Sequence, residues 1–194
     1  MSVYSDDISD FQIEEISLGD SLLDYLEENH IKSEIDYSTT KLYEYKTKDF
    51  AKIFWFKETD NYDYLSFIVE NDESKVLIKK KGDTFFDKKY IIHQVNGKKH
   101  MSIKKCLAMK KKIVKDFSLM ITNATKTESK FSPSFDPSGK SLIYFTYFTF
   151  DSKDEIAVEC YDYSQILNDQ GKRDGLFVNL ITEDAKDWLS QTKQ

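Results

Sequence analysis

The fold is decided by the stretch Lys140-Ser-Leu-Ile-Tyr-Phe-Thr-Tyr-Phe-Thr-Phe150-Asp-Ser-Lys-Asp-Glu-Ile-Ala-Val-Glu-Cys160-Tyr-Asp-Tyr-Ser164. From Ile143 to Phe150 nearly every residue is aromatic or β-branched, a composition that suits a pleated surface and makes a poor helix. Asp151-Ser152-Lys153-Asp154 reads as a polar turn. Beyond it Ile156, Val158 and Cys160 alternate with Ala157, Glu159 and Tyr161. The returning strand therefore turns Cys160 to one face and Glu159 to the other. The two strands make a hairpin, expected in the central part of a sheet.

Further strands precede it. Leu42–Lys46, Phe50–Lys57 and Tyr64–Glu70 read as strands, and Lys75–Lys81 returns on the last of these across Asn71-Asp72-Glu73-Ser74. Tyr90–Val95 is another, followed by Asn96-Gly97, the strongest type I′ turn signal in the chain. From Ser102 to about Asn123, Ile103, Cys106, Leu107, Ile113, Val114, Phe117, Met120 and Ile121 share one stripe. Lys104, Lys105, Lys110, Lys111, Lys112 and Lys115 occupy the other, which predicts a long amphipathic helix.

The connecting segments follow from their breakers and caps. Thr125–Lys140 holds both prolines, Pro133 and Pro137, and reads as a long surface loop. Asn168–Gly175 reads as a second loop, Leu176–Ile181 as a strand, and Thr182 as the cap of a last helix burying Trp188 and Leu189. Near the start, Ile8–Ile16 alternates loosely. Ser17-Leu18-Gly19-Asp20 then has the S-x-x-D form of a helix start, with Leu22, Leu23 and Leu26 on its core face and Asn29-His30 at its end. The expected fold is one α+β domain over residues 1–194: an antiparallel sheet, one long helix on a face, and short helices near both termini.

The totals agree with this reading. A chain of 194 residues with 40% apolar and 14% aromatic content can bury a sizeable core. Six Gly and two Pro exclude a collagenous or low-complexity chain. No apolar run approaches the roughly 20 residues that span a bilayer, so no integral membrane segment is expected. The net charge of −6 hides a segregation: residues 1–36 hold eleven acids against Lys32, and residues 75–115 hold fourteen lysines against Asp83 and Asp87. Such asymmetry fits either an anionic partner for the basic part or an acidic head that packs near it.

Motifs with chemistry are few. His30, His93 and His100 have no metal-ligand spacing, and G-x-S-x-G, Walker and G-x-G-x-x-G patterns are missing. No catalytic residue, cofactor or metal site is therefore assigned, and the reading leans away from an enzyme; a small hydrolase built from scattered Asp, Tyr and His is the weakest alternative. Tyr161, Asp162 and Tyr163, with Asp169 and Asp174 in the next loop, form a candidate ligand surface that could offer carboxylates to a cation or a sugar. Lys104, Lys105, Lys111, Lys112 and Lys115 form a candidate anion-binding face. Nucleic acid is disfavoured there, because Arg173 is the single arginine and no stacking aromatics share that face. Cys106 and Cys160 both face the expected interior. A reducing compartment makes them small buried hydrophobes, whereas an oxidising one lets them pair, closing a loop of about 55 residues and stabilising by roughly 4 kcal/mol.

One likeness runs along much of the chain. Ile8-x-Asp10-Phe11-x-Ile13-Glu14-x-Ile16-Ser17-Leu18-Gly19-Asp20-Ser21-Leu22-Leu23 resembles the opening of an uncharacterised family of small marine-bacterial proteins. The likeness continues through Pro137-x-Gly139-Lys140-Ser141, Cys160-Tyr161-Asp162-Tyr163-Ser164 and Asp187-Trp188-Leu189. The resemblance implies a leader-bearing, exported α+β protein and favours the Cys106–Cys160 pairing; it supplies no activity and no catalytic residues. Met1–Asp7 shows no basic-then-apolar leader, although Val3-Tyr4-Ser5 has the aliphatic-x-small form of a cleavage site, so residues 1–7 read as a leader remnant or a frayed terminus. Periplasmic or secreted placement is expected if a leader precedes Met1, and cytoplasmic placement otherwise. The functional expectation is a non-enzymatic, exported binding or interaction protein with a protein or small-molecule ligand. The alternative is an intracellular protein engaging an anionic partner through the helix 102–123.

Overall fold

The computed structural model describes residues 7–37, 47–56, 59–71 and 89–191. Its elements are α1 (Glu28–Tyr37), β1 (Phe50–Trp55), β2 (Tyr64–Glu70), β3 (Ile92–His100), α2 (Ile103–Met120), β4 (Ala124–Phe131), β5 (Leu142–Phe150), β6 (Glu155–Asp162), α3 (Gln165–Asp169), β7 (Gly175–Ile181) and α4 (Glu183–Ser190). The strands expected at Leu42–Lys46 and Lys75–Lys81, the turn at Asp72-Glu73-Ser74 and the Val3-Tyr4-Ser5 segment lie outside the described residues.

The β5–β6 hairpin forms as its alternation dictates, with Leu142 opposite Asp162 and Thr149 opposite Glu155. Lys153 takes φ +65° in the tight turn between the strands. The sheet is antiparallel throughout, in the order β1-β2-β3-β7-β6-β5-β4. Strand β7 therefore lies at its centre, with the hairpin beside it. Chain order explains the arrangement: α2 carries the chain from β3 to the far edge, and β4, β5, β6 and β7 then return as a meander that closes against β3.

To make that crossing α2 lies over β6 and β7. Its stripe buries Cys106 and Val114 against Val158, Cys160, Leu176 and Val178. The same face of the sheet carries Ile53, Leu65, Phe67, Val95 and Leu180, closed over by α1 through Ile31 and Ile35 and by the N-terminal Ile8, Phe11, Ile13 and Ile16. Cys106 and Cys160 are joined in a disulfide with their Cα atoms 5.8 Å apart. It ties the first turns of α2 to β6. The result is the α+β architecture expected, with one long helix on a face and shorter helices near both ends.

Four local expectations are corrected. Asn96-Gly97 is no turn but the middle of β3, where Gly97 gives way to the Tyr62 ring; a Cβ there would lie 2.6 Å from the ring carbons. Thr125–Lys140 is not all loop, because 124–131 forms the edge strand β4 against β5. Exposed almost throughout, β4 has no buried face and so no apolar alternation to read, and Lys126, Glu128 and Lys130 charge the edge. The helix expected from Ser17-Leu18-Gly19-Asp20 is displaced: Ser21 caps only a short 3₁₀ turn, Leu22–Asp24, and α1 starts at Glu28. Tertiary pairing takes that backbone instead, with Gly19 N donating to Ile92 O at 2.9 Å and Ile92 N to Asp20 O at 2.9 Å. In addition, the loop expected at Asn168–Gly175 starts inside the short helix α3.

On the far face of the sheet, α4 covers one end. Thr182 caps α4 as expected, accepting from Ala185 N, and α4 seats Ala185 and Trp188 on Ile68 and Ile181. His93 sits beside this seal, its ring nitrogens 3.0 Å from Thr182 Oγ1 and 3.2 Å from Glu70 Oε1.

The disulfide closes a sequence separation of 54 residues. Reduction should therefore lower unfolding free energy by up to about 4 kcal/mol on the chain-entropy account. Urea midpoints with and without reductant, alongside a thiol count of zero in unreduced protein, check this.

Candidate functional site

Opposite α2, strand alternation and register set the outward side chains in rows across the sheet. One row reads Ser66, Asn96, Asn179, Ala157, Tyr147, Thr127 from β2 to β4. The next reads Tyr64, Lys98, Phe177, Glu159, Phe145, Ser129. A third brings His100, Gly175, Tyr161, Ile143 and Phe131 into line. Aromatic rings thus meet amides and two opposite charges on one surface.

The rings touch one another. Tyr161 lies 4.3 Å from Phe177 and 5.5 Å from Tyr163 between centroids, and Phe145 stacks on Tyr147 at 4.4 Å. Lys98 Nζ stands 4.6 Å from the Phe177 centroid and 5.8 Å from that of Tyr64, within cation–π range. In the adjoining row Gln94 Nε2 donates to Asn179 Oδ1 at 2.8 Å, which orients that amide.

Glu159 anchors the centre. Tyr147 Oη donates to its Oε1 at 2.8 Å and Tyr161 Oη to its Oε2 at 3.0 Å, so both carboxylate oxygens are engaged. Burial pushes the carboxyl above its ordinary range, partly opposed by the two hydroxyls and reinforced by the charge of Glu155. Burial, then the charge and hydrogen bond of Glu159, hold the Tyr147 and Tyr161 hydroxyls far above the usual phenol range. Both tyrosines therefore remain donors, and the carboxylate fixes where their rings point.

The candidate ligand surface read from sequence is divided by the fold. Tyr161 and Tyr163 lie together on this face, whereas Asp162 belongs to the opposite side by alternation. Asp174 is used locally, accepting from Tyr163 N at 2.8 Å, and Asp169 lies exposed on α3 with Gln165 Nε2 at 2.7 Å. No group of three or more His, Cys, Asp or Glu is placed to hold a metal ion among the described residues. A different acid has the structural role nearby: Asp136 is buried under Ser138 and Ser141. Burial works to raise its pKa, but the hydroxyl and amide hydrogen bonds of Ser141 and Ser138 prevail and hold it far below the ordinary range.

Sequence reasoning did not find Lys98, Phe177, Asn96, Asn179, Phe145 and Tyr147 as site residues. The alternation around Cys160 already separated Glu159 and Tyr161 from the core face. The β3–β7 pairing that brings Lys98 beside Phe177 is non-local and left no local signal.

The lysine face is divided as well. Lys104, Lys105, Lys111, Lys112 and Lys115 are exposed along α2, but Lys110, read as their companion, is buried. Its ammonium reaches under β5 and β4, donating to Thr146 Oγ1 at 2.5 Å and Glu128 Oε1 at 3.1 Å. Beside it runs a groove of about 590 Å³ between α2 and β4, lined by Lys111, Lys115 and Lys126 together with Glu128 and Leu107. Lys104, Lys105 and Lys112 do not line it.

Compared with known protein families, curated proteins and solved structures, the chain matches none.

Two outcomes follow from these contacts. Thr146→Val removes an acceptor from the buried Lys110 ammonium and should cost about 1–3 kcal/mol, read as a lowered urea midpoint. Glu159 has a raised pKa in the folded protein, so its contribution is fully present below the unfolded carboxylate value and is lost as pH rises through the folded one. Wild type should therefore lose stability relative to Glu159→Gln as pH rises from 4 to 8. Paired urea titrations across that range check the sign; a gap that does not move contradicts it.

Proposed function

We propose that this chain is a non-enzymatic binding protein that takes a saccharide-like ligand on the sheet face opposite α2. The observation that carries the reading is the contact of Phe177 and Tyr161 rings, 4.3 Å apart, beside the Asn96–Asn179 pair and the Tyr147 hydroxyl. A pyranose has apolar C–H faces that suit the negative face of an aromatic ring, and equatorial hydroxyls that suit amides and phenols. Convergence of a few polar groups on an apolar floor is the usual make-up of a small-molecule site. Glu159 supports binding rather than bond breaking, since both of its oxygens are engaged in positioning tyrosines. The Cys106–Cys160 disulfide supports work in an oxidising compartment outside the cytosol, in line with an exported protein.

A second reading has its own observation, the convergence of Lys111, Lys115 and Lys126 on the α2–β4 groove, which offers an anionic partner a place to dock. Binding there would weaken steeply with salt.

Calorimetric titration with a panel of soluble neutral and acidic hexasaccharides tests the first reading. At least one should bind, be recovered uncleaved, and bind at least about tenfold more weakly to Phe177→Ala, a loss of about 1.4 kcal/mol. No binding across the panel, or equal binding to the variant, discards the face as the site. Lys111→Glu with Lys115→Glu should leave that binding unchanged; if it abolishes binding instead, the groove is the site.

A further inference from the structure

We infer that the ligand of this face carries an acidic group, a carboxylate or a sulfate, which sits against Lys98 at the Phe177 end of the aromatic floor. The inference rests on the reading of the face as a binding surface and adds the charge of what binds.

Lys98 is a costly residue to place in the middle of a sheet. It is 8% exposed, with its ammonium over the Phe177 and Tyr64 rings, and among the described residues it has no hydrogen-bond acceptor and no ion pair. Asn71 Oδ1 and Gln94 Oε1 are the fully buried side-chain polar atoms left without a partner among those residues. Lys98 Nζ is not one of them, so its tip stays open to solvent while the stem is packed, the ordinary behaviour of a long amphipathic side chain.

Nearby acids do not serve it. Asp63 is committed to His100, accepting from its backbone N and lying 2.7 Å from Nδ1, and pairs with Lys99 at 3.9 Å. Glu159, across Phe177 in the same row, is held by Tyr147 and Tyr161. The charged group that does act strongly on Lys98 has the wrong sign. Burial first, then the positive charge of Lys172, push the Lys98 amine down to about 8, against a smaller opposing pull from Asp63.

A lysine packed over an aromatic floor, with no acceptor among the described residues and a second lysine's charge acting on it, is the complement of an anion. An acidic group against Lys98 supplies acceptors in place of solvent and offsets the positive charge of Lys172. Carboxylate and sulfate share this chemistry, and both occur on acidic saccharides. The rival explanation is that Lys98 only caps the rings through cation–π contact. Lys98→Met would then keep the packing, and the charge of the ligand would be irrelevant.

Calorimetry on the full chain separates these, with four probes: a carboxylated hexauronate, a sulfated hexasaccharide, an uncharged hexasaccharide, and inorganic sulfate alone. Wild type should bind one of the charged oligosaccharides at least tenfold more tightly than the uncharged one, and the preferred probe identifies the acidic group. Inorganic sulfate should compete only weakly, because it leaves the aromatic floor empty. Lys98→Met, shown to be folded by its thermal midpoint, should bring the charged probe down to the affinity of the uncharged one, and Lys172→Ala should do so in part. Equal binding of charged and uncharged probes by wild type, or a preference that survives Lys98→Met, overturns the charge assignment while leaving a Phe177-dependent face in place. Failure of every oligosaccharide to bind overturns both.

Discussion

Everything in this molecule depends on one constraint, that Glu159 and Cys160 are neighbours in the chain and must point to opposite faces of β6. The Cys106–Cys160 disulfide fixes which face that is, because it ties β6 to the helix crossing the sheet. A slip of one residue would put Glu159 under α2 and the cysteine among the tyrosines. With α2, α1 and the N-terminal segment packed on one side, that side takes most of the aliphatic strand residues, and Lys98, Asn96, Asn179, Phe177, Glu159, Tyr147 and Tyr161 are left to the other. The mixed face is thus the necessary remainder of a core that takes its share first, and its composition records what that side was left to do.

Two lysines show how differently this fold treats a buried charge. Lys110 is 5% exposed and has Thr146 and Glu128 as acceptors. It behaves as a structural strut between α2 and the β4–β5 edge. Lys98 is 8% exposed and has rings beneath it but no acceptor among the described residues. Removing an ammonium from water is expensive unless hydrogen bonds replace the lost hydration. The sheet supplies such bonds at Lys110; at Lys98 it packs the stem and leaves the ammonium tip to solvent.

How much could be read from the chain depended on how local the signal was. The hairpin, the amphipathic α2 and the Thr182 cap rest on contacts within a few residues, and each emerged where the pattern put it. Asn96-Gly97 misled because a glycine used for close approach to Tyr62 looks the same in sequence as one used for a turn. The edge strand β4 was invisible because nothing buries it, and a strand without an apolar face has no period to detect. The site suffered most. Tyr161 and Tyr163 were legible beside the hairpin, but Lys98, Asn96, Phe177 and Asn179 come from β3 and β7, and only the long return of the chain sets those beside β6.

That return also accounts for the position of the candidate site. β3 and β7 are distant in sequence, joined by α2 and the β4–β5–β6 meander, and they meet at the middle of the sheet. Side chains drawn from both, Lys98 and Asn96 from one and Phe177 and Asn179 from the other, cannot be brought together until the meander has closed. The disulfide holds the crossing helix against β6, the strand beside this junction, and limits the freedom of the elements that frame it. Stability and site are therefore coupled through a single strand: the sulfur on one side of β6 holds the scaffold, and the carboxylate on the next residue orients the rings on the other.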